Sequence, residues 1–217
     1  MVTSKNLLSF YPSRNGKIDL PNNILRVNID VGLSYTATFS ERWLRETDNL
    51  AVFGFEPVID SYTNITQAYS EILSKTLFPI CCALSDEEGT TILYVAKDYP
   101  ECSSLHVPKT IPLSHQQPVS TIRLESFFDI FPWDRIPVID KIKMDTQGHE
   151  LKVLKGAGDY LVNVVEIIAE VGPLESSQYE DTRTEEEVDE YLKKYNFRAM
   201  GVIDSDYNKL YRNERFI

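Results

Sequence analysis

A chain of 217 residues with 42% hydrophobic and 25% charged side chains has the composition of one globular domain, or of one domain with a short extension. Its 33 acidic residues outnumber 22 basic ones, for a formal charge of −11; that balance repels phosphate backbones, and with no basic stripe on any predicted helix a nucleic-acid partner is excluded. No apolar run approaches the roughly eighteen residues of a membrane span, and the opening MVTSKNLLSFYPSRNGK lacks the continuous apolar core of a secretory signal, so the expectation is a cytoplasmic protein with no membrane partner.

Cys81, Cys82 and Cys102 are odd in number and lack paired metal-ligand spacing, which reads as buried thiols rather than as a disulfide framework or a metal site. Asn64-Ile65-Thr66 fits a glycosylation acceptor, but without a secretion signal it is a chance match.

Residues 1–24, polar and punctuated by Pro12, Gly16 and Pro21, read as an extension lying on a domain that spans residues 25–217. Leu25–Val31 is the first strand, Gly32–Tyr35 a turn, and Thr36–Arg45 a helix with Phe39, Trp43 and Leu44 at core-facing spacing. Leu50–Phe55 is a buried strand that Pro57 forces to an end. Ser61–Lys75 is predicted as a helix, Phe78–Leu84 as a third strand and Thr90–Ala96 as an added one.

Lys97–Ser120 holds four prolines and no periodicity, so it reads as a long connection that is a lid, a binding loop or disorder. Thr121–Ile130 contains a short helix packed by Phe127 and Phe128. Val138–Met144 is a strand closed by Asp145, Thr146-Gln147-Gly148 a tight turn, and His149–Lys155 a helix with Gly156 placed as its terminator. Val164–Val171 is another buried strand. Thr184 and Glu187 form a capping box for a helix running to Lys194, and Phe197–Ile203 with Leu210–Ile217 close the chain as a hairpin. The alternation predicts an α/β, doubly wound, Rossmann-like fold: a mostly parallel sheet with a C-terminal antiparallel hairpin.

In such sheets ligands bind beyond the carboxyl ends of the strands, which singles out Asp30, Glu56 and Asp145. Glu56 follows Asp30 at a spacing that suits an acid binding ribose hydroxyls, because a carboxylate offers two acceptors to a vicinal diol; the alternative is that it merely ends a strand. Gly32-Leu33-Ser34 lacks the G-x-G-x-x-G of a dinucleotide cradle, which disfavours a nicotinamide cofactor. Asp145 either takes part in chemistry or caps the following helix, and His149 is either a base with a near-neutral pKa or a surface residue of a first turn.

Ile29-Asp30-Val31-Gly32, Gly54-Phe55-Glu56-Pro57, Ala83-Leu84-Ser85-Asp86 and the block Ile142–Glu150, together with Leu151–Ala157 and Val119–Phe128, occur in an order that resembles the FkbM-type methyltransferases. The resemblance runs from about Leu25 to Val171. It implies a class I fold that uses S-adenosylmethionine to methylate hydroxyl groups of small molecules, sugars or glycans. By position it implies that Asp30 and Gly32 face the methionine part of the cofactor, that Glu56 binds the ribose, that Ser85 and Asp86 lie against the adenine, and that Asp145 and His149 border the transfer site. Glu150 and Glu170 match further acidic positions of the family, while Gln147 stands where an acid is common. In the first turn Leu33, Ser34 and Thr36 replace the family's alanine, asparagine and second glycine. A side chain at position 36 is expected to narrow the approach to the cofactor, and a non-catalytic binding or scaffold protein of the same fold is the alternative reading.

Overall fold

The most apolar strand of the sequence lies inside the sheet and faces two cores at once. In the computed structural model, which describes residues 1–172, 178–180, 182 and 184–217, Leu50–Phe55 is buried along its whole length. Ala51, Phe53 and Phe55 enter the main core, whereas Leu50 and Val52 enter a second cluster with Trp43 and Ile65. Successive side chains of a strand point to opposite faces, so an unbroken apolar run is what a sheet covered on both faces requires.

In chain order the elements are β1 (Ser13–Arg14), β2 (Lys17–Ile18), β3 (Arg26–Val31), α1 (Thr38–Glu46), β4 (Leu50–Phe55), α2 (Ile59–Ala68), β5 (Leu77–Ile80), β6 (Ala83–Leu84), β7 (Gly89–Ala96), β8 (Leu113–Ile122), α3 (Leu124–Asp129), β9 (Ile139–Met144), α4 (Glu150–Ala157), β10 (Val164–Glu170), α5 (Glu185–Lys193), β11 (Phe197–Val202) and β12 (Asn208–Asn213). The main sheet has the order β11-β12-β10-β9-β3-β4-β5. Its neighbours are parallel from β5 to β10, and β12 runs antiparallel to both β10 and β11. From β3 the chain winds outward through β4 and β5, then returns to place β9 on the other side of β3. The carboxyl ends of β3 and β9 therefore flank a topological switch point, where a crevice opens. Among the described residues no helix is long and apolar enough to cross a membrane.

The elements match the sequence reading where the apolar pattern admits one interpretation, and depart where tertiary packing decides. The N-terminal segment is part of the main core: Val2, Leu7, Tyr11, Ile18, Leu20 and Ile24 are buried there, with the Tyr11 ring 5.4 Å from that of Phe53. Helix α2 stops at Ala68 rather than Lys75, and Ile72 and Leu73 reach the second cluster from the turn that follows. The predicted strand Phe78–Leu84 is two strands, since Ala83–Leu84 leaves the main sheet for a three-stranded one of order β6-β8-β7. The middle strand of that small sheet takes up much of the predicted loop. Pro118 pairs opposite Ile92, and because β6 reaches only Thr121 and Ile122, the proline stands on a locally open edge where its missing N–H is tolerated.

Gly156 does not end α4. It lies inside the helix, where a Cβ would fall 2.1 Å from the Ser85 carbonyl oxygen, and Gly158 with φ +56° makes the exit. The capping box at Thr184 and Glu187 forms in both directions. All three cysteines are free thiols, of which only Cys82 is buried.

Candidate functional site

The turn after β3 and the turn after β9 interlock through their backbones. Gly32 takes φ +80°, and a Cβ on it would lie 2.1 Å from the Asp145 carbonyl oxygen. Its N–H donates to the Phe55 carbonyl at 2.9 Å, and the Asp145 N–H donates to that of Val31 at 3.0 Å. Only glycine supplies both the left-handed backbone and the close approach.

Glu56, 4% exposed, is gripped from behind by two amides. Ser34 N–H donates to Oε2 and Val58 N–H to Oε1, each at 2.8 Å. Each oxygen keeps a second lone pair, so the carboxylate is oriented without being used up. Burial pushes its pKa up to about 7 against the pull of those two amides.

The altered residues of the first turn leave this space open. The Leu33 side chain turns into the sheet, over Gly54, and joins the second cluster. Thr36 is exposed, its carbonyl accepts from the Tyr69 hydroxyl at 2.8 Å, and the left-handed non-glycine residues here are Ser34 and Ala37. The expected narrowing by Thr36 is absent because the chain carries that side chain outward.

A cleft enclosing about 590 Å³, counting its open mouth, lies over these turns. Gly32 and Ser34 form its floor, Glu56 lies on one side, Phe55, Leu84 and Leu93 give it apolar wall, and Asp145 and His149 line it as well. Of the residues singled out from sequence, Gly32, Glu56, Asp145 and His149 thus come together. Asp30 does not line the cleft: it is 1% exposed beneath it, and its Oδ2 accepts from Ser40 Oγ at 2.6 Å. Ser85 and Asp86 border a neighbouring depression, while Ala83 and Leu84 just before them wall the cleft.

Asp145, a third exposed, is the most heavily braced of these groups. Lys143 Nζ lies 3.1 Å from its Oδ2, and Lys143 itself is buried. Gln147 Nε2 donates to Asp145 Oδ1 at 2.7 Å and to Glu170 Oε2 at 2.9 Å. Partial burial would raise Asp145, but the Lys143 ammonium and these hydrogen bonds outweigh it and hold the carboxyl below its ordinary range. Glu170 is driven the other way, by burial and then by the charge on Asp145. The pair thereby holds one carboxylate and one carboxylic acid. Glu150 fixes the turn by accepting from Thr146 N–H at 2.7 Å and Oγ1 at 2.9 Å. Lys143, Tyr179 and His106 were not singled out from sequence. Lys143 carried a signal, since residues i and i+2 of a strand share a face and Lys143 precedes Asp145 by two.

His149 is buried, with Nδ1 3.1 Å from His106 Nε2 and Nε2 3.0 Å from Ser85 Oγ. Burial, then the neighbouring His106, push its pKa down to about 3, so the ring is neutral at physiological pH and a weak proton acceptor. The near-neutral value expected from sequence is displaced because the ring is enclosed. A depressed pKa means the unfolded imidazole binds a proton below about 6.5 that the folded one refuses. The stability from this neutral ring is full above that pH and is lost as pH falls toward about 3. The margin by which the wild type out-melts His149→Gln should therefore shrink between pH 7.5 and pH 5, by up to about 2 kcal/mol. A margin constant across this range in denaturant titrations would refute the neutral buried ring.

The Methyltransferase FkbM domain model matches residues 26–199. AglP of Haloferax volcanii, described as a hexuronic acid methyltransferase, is 29% identical over 120 residues, covering 55% of this chain and 46% of that protein. Among solved structures, a methyltransferase FkbM from Methylobacillus flagellatus KT superposes with a TM-score of 0.51 at 14% identity, over 94% of this chain and 47% of the other. The chain spans about half the length of these relatives. The fold is accordingly that of the class I methyltransferases.

Proposed function

Because the chain belongs to the FkbM methyltransferase domain family, whose cofactor is S-adenosylmethionine, we propose that it transfers a methyl group from that cofactor to a hydroxyl of a sugar, glycan or other small molecule. The observation that carries this reading is the convergence of Gly32, Ser34, Glu56 and Asp145 on one cleft at the switch point. The residues fit the group: Glu56 presents a pre-oriented double acceptor to a ribose diol, Phe55, Leu84 and Leu93 offer an apolar wall to a base, and Gly32 adds no side chain to the floor. When bound, the cofactor supplies an electrophilic methyl on a sulfonium centre.

The chain's own residues position and receive. Asp145, kept ionised by Lys143, places negative charge beside a cationic donor and accepts the proton that the acceptor hydroxyl releases. A hydroxyl oxygen gaining a methyl becomes a strong acid, so even a carboxylate of lowered pKa is basic enough. His149, neutral and hydrogen-bonded through both nitrogens, shapes the wall beside Asp145 and leaves proton transfer to the carboxylate. The similarity to AglP, described as a hexuronic acid methyltransferase, supports a sugar acceptor.

A thermal-shift panel tests this reading. S-adenosylmethionine and S-adenosylhomocysteine at about a hundred times their dissociation constants should each add about 2.7 kcal/mol of stability, or roughly 5–10 °C, and NAD should add nothing. No shift with either sulfur nucleoside would favour the non-catalytic alternative.

A further inference from the structure

Asp145 borders two clefts. The second encloses about 1490 Å³ with its open mouth, and Gln147, Glu150, Glu170, Tyr179 and Asp206 line it together with Asp145. Glu101 also borders both spaces. On the proposed methyl-transfer reading, donor and acceptor must meet in line at close range. Asp145 lies between the two clefts, which makes the second one the place from which an acceptor can reach a donor held in the first.

The lining of this second cleft is selective by charge. Glu101, Asp145, Glu150, Glu170 and Asp206 are acidic, with Glu170 the protonated partner of Asp145 and so a hydroxyl donor rather than a charge, and no lysine or arginine occurs among the described residues that line it. The Lys143 ammonium, buried 3.1 Å from Asp145 Oδ2, offsets that carboxylate from behind without lining the cleft, so the unpaired negative charge of the lining rests chiefly on Glu101 and Asp206. Its remaining polar groups include amides and hydroxyls, at Gln147, Gln178, Tyr179, Thr182 and Ser205. Gln147 is held in place with φ +55° by Asp145, Glu170 and the Tyr179 hydroxyl, the last 2.9 Å from its Oε1. Such a wall recognises hydroxyls and tolerates an amine, whereas a carboxylate or phosphate would meet like charge focused by the walls of a cleft.

We propose that this second cleft is the acceptor site and that it takes a polyhydroxylated, neutral or amine-bearing acceptor while rejecting one that carries a carboxylate or phosphate. The proposal deepens the methyl-transfer reading and rests on it, and it sets this chain apart from a relative described as acting on a hexuronic acid.

The test uses three aryl glycosides matched in all but charge, a glucoside, a 2-amino-2-deoxyglucoside and a glucuronide. Binding is followed by NMR with S-adenosylhomocysteine present, and methyl incorporation from labelled S-adenosylmethionine. The glucoside or the amino sugar should exceed the glucuronide in kcat/KM by about tenfold or more. Asp206→Lys, a reversal at an exposed position outside the donor cleft, should narrow that gap by about threefold or more and leave S-adenosylhomocysteine affinity as in the wild type. A glucuronide preferred by the wild type, a gap unmoved by Asp206→Lys, or no binding of any of the three while S-adenosylhomocysteine binds normally would each overturn the proposal. Failure of S-adenosylhomocysteine itself to bind would instead overturn the reading beneath it.

Discussion

Alanine at position 32 is expected to destabilise this protein by about 3 kcal/mol or more and to lower its melting temperature by roughly 10 °C. Two costs combine. The backbone there has φ +80°, a conformation that any residue with a Cβ resists. The added carbon would also stand 2.1 Å from the carbonyl oxygen of Asp145, a backbone atom that can retreat only by pulling the turn after β9 away from β3. That retreat would break the bond from the Asp145 N–H to the Val31 carbonyl, so the damage falls on the frame of the site as well as on the turn. Gly201→Ala separates the two costs, because Gly201 has φ +112° but nothing within 4 Å of a built Cβ. It should destabilise by about 1 kcal/mol, the conformational part alone. If Gly32→Ala melted no lower than Gly201→Ala, the interlock of the two turns would not exist.

How much of this molecule could be read from sequence depends on whether a residue's environment is set locally. Leu50–Phe55 emerges with its predicted bounds because a six-residue apolar run fits a strand buried on both faces. Strand β8 was unreadable: its first four residues are exposed and Pro118 looks like a breaker, so only pairing with β7 makes it a strand. Gly156 reads from sequence as a terminator because a glycine needed for close helix packing and one that ends a helix look alike without the neighbouring Ser85 backbone.

The candidate site divides in the same way. Gly32, Glu56 and Asp145 were legible because each follows directly from the end of a strand, and the carboxyl edge of such a sheet is where ligands lie. Ser85 and Asp86 sit one step beyond the wall because β6 belongs to the smaller sheet and turns the chain aside after Leu84. A lysine in a strand suggests a solvent-facing position, yet Lys143 is buried, its charge balanced by Asp145 and Asp30. His149 was visible as a residue but not as a neutral one, since its partner His106 comes from a stretch with no periodic signal.

Calorimetry of S-adenosylhomocysteine binding to wild type and Glu56→Ala tests the central claim most directly, namely that this carboxylate holds the sugar of the donor. Two hydrogen bonds to a charged acceptor contribute about 3 kcal/mol or more together, so the substitution should weaken binding roughly a hundredfold or beyond. The wild type should also bind less tightly as pH falls from 8 to 6, because the carboxyl, pushed up to about 7, takes on a proton in that range and loses acceptor strength. The variant should show no such slope. Equal affinities for the two proteins, with matching profiles across that pH range, would contradict the account.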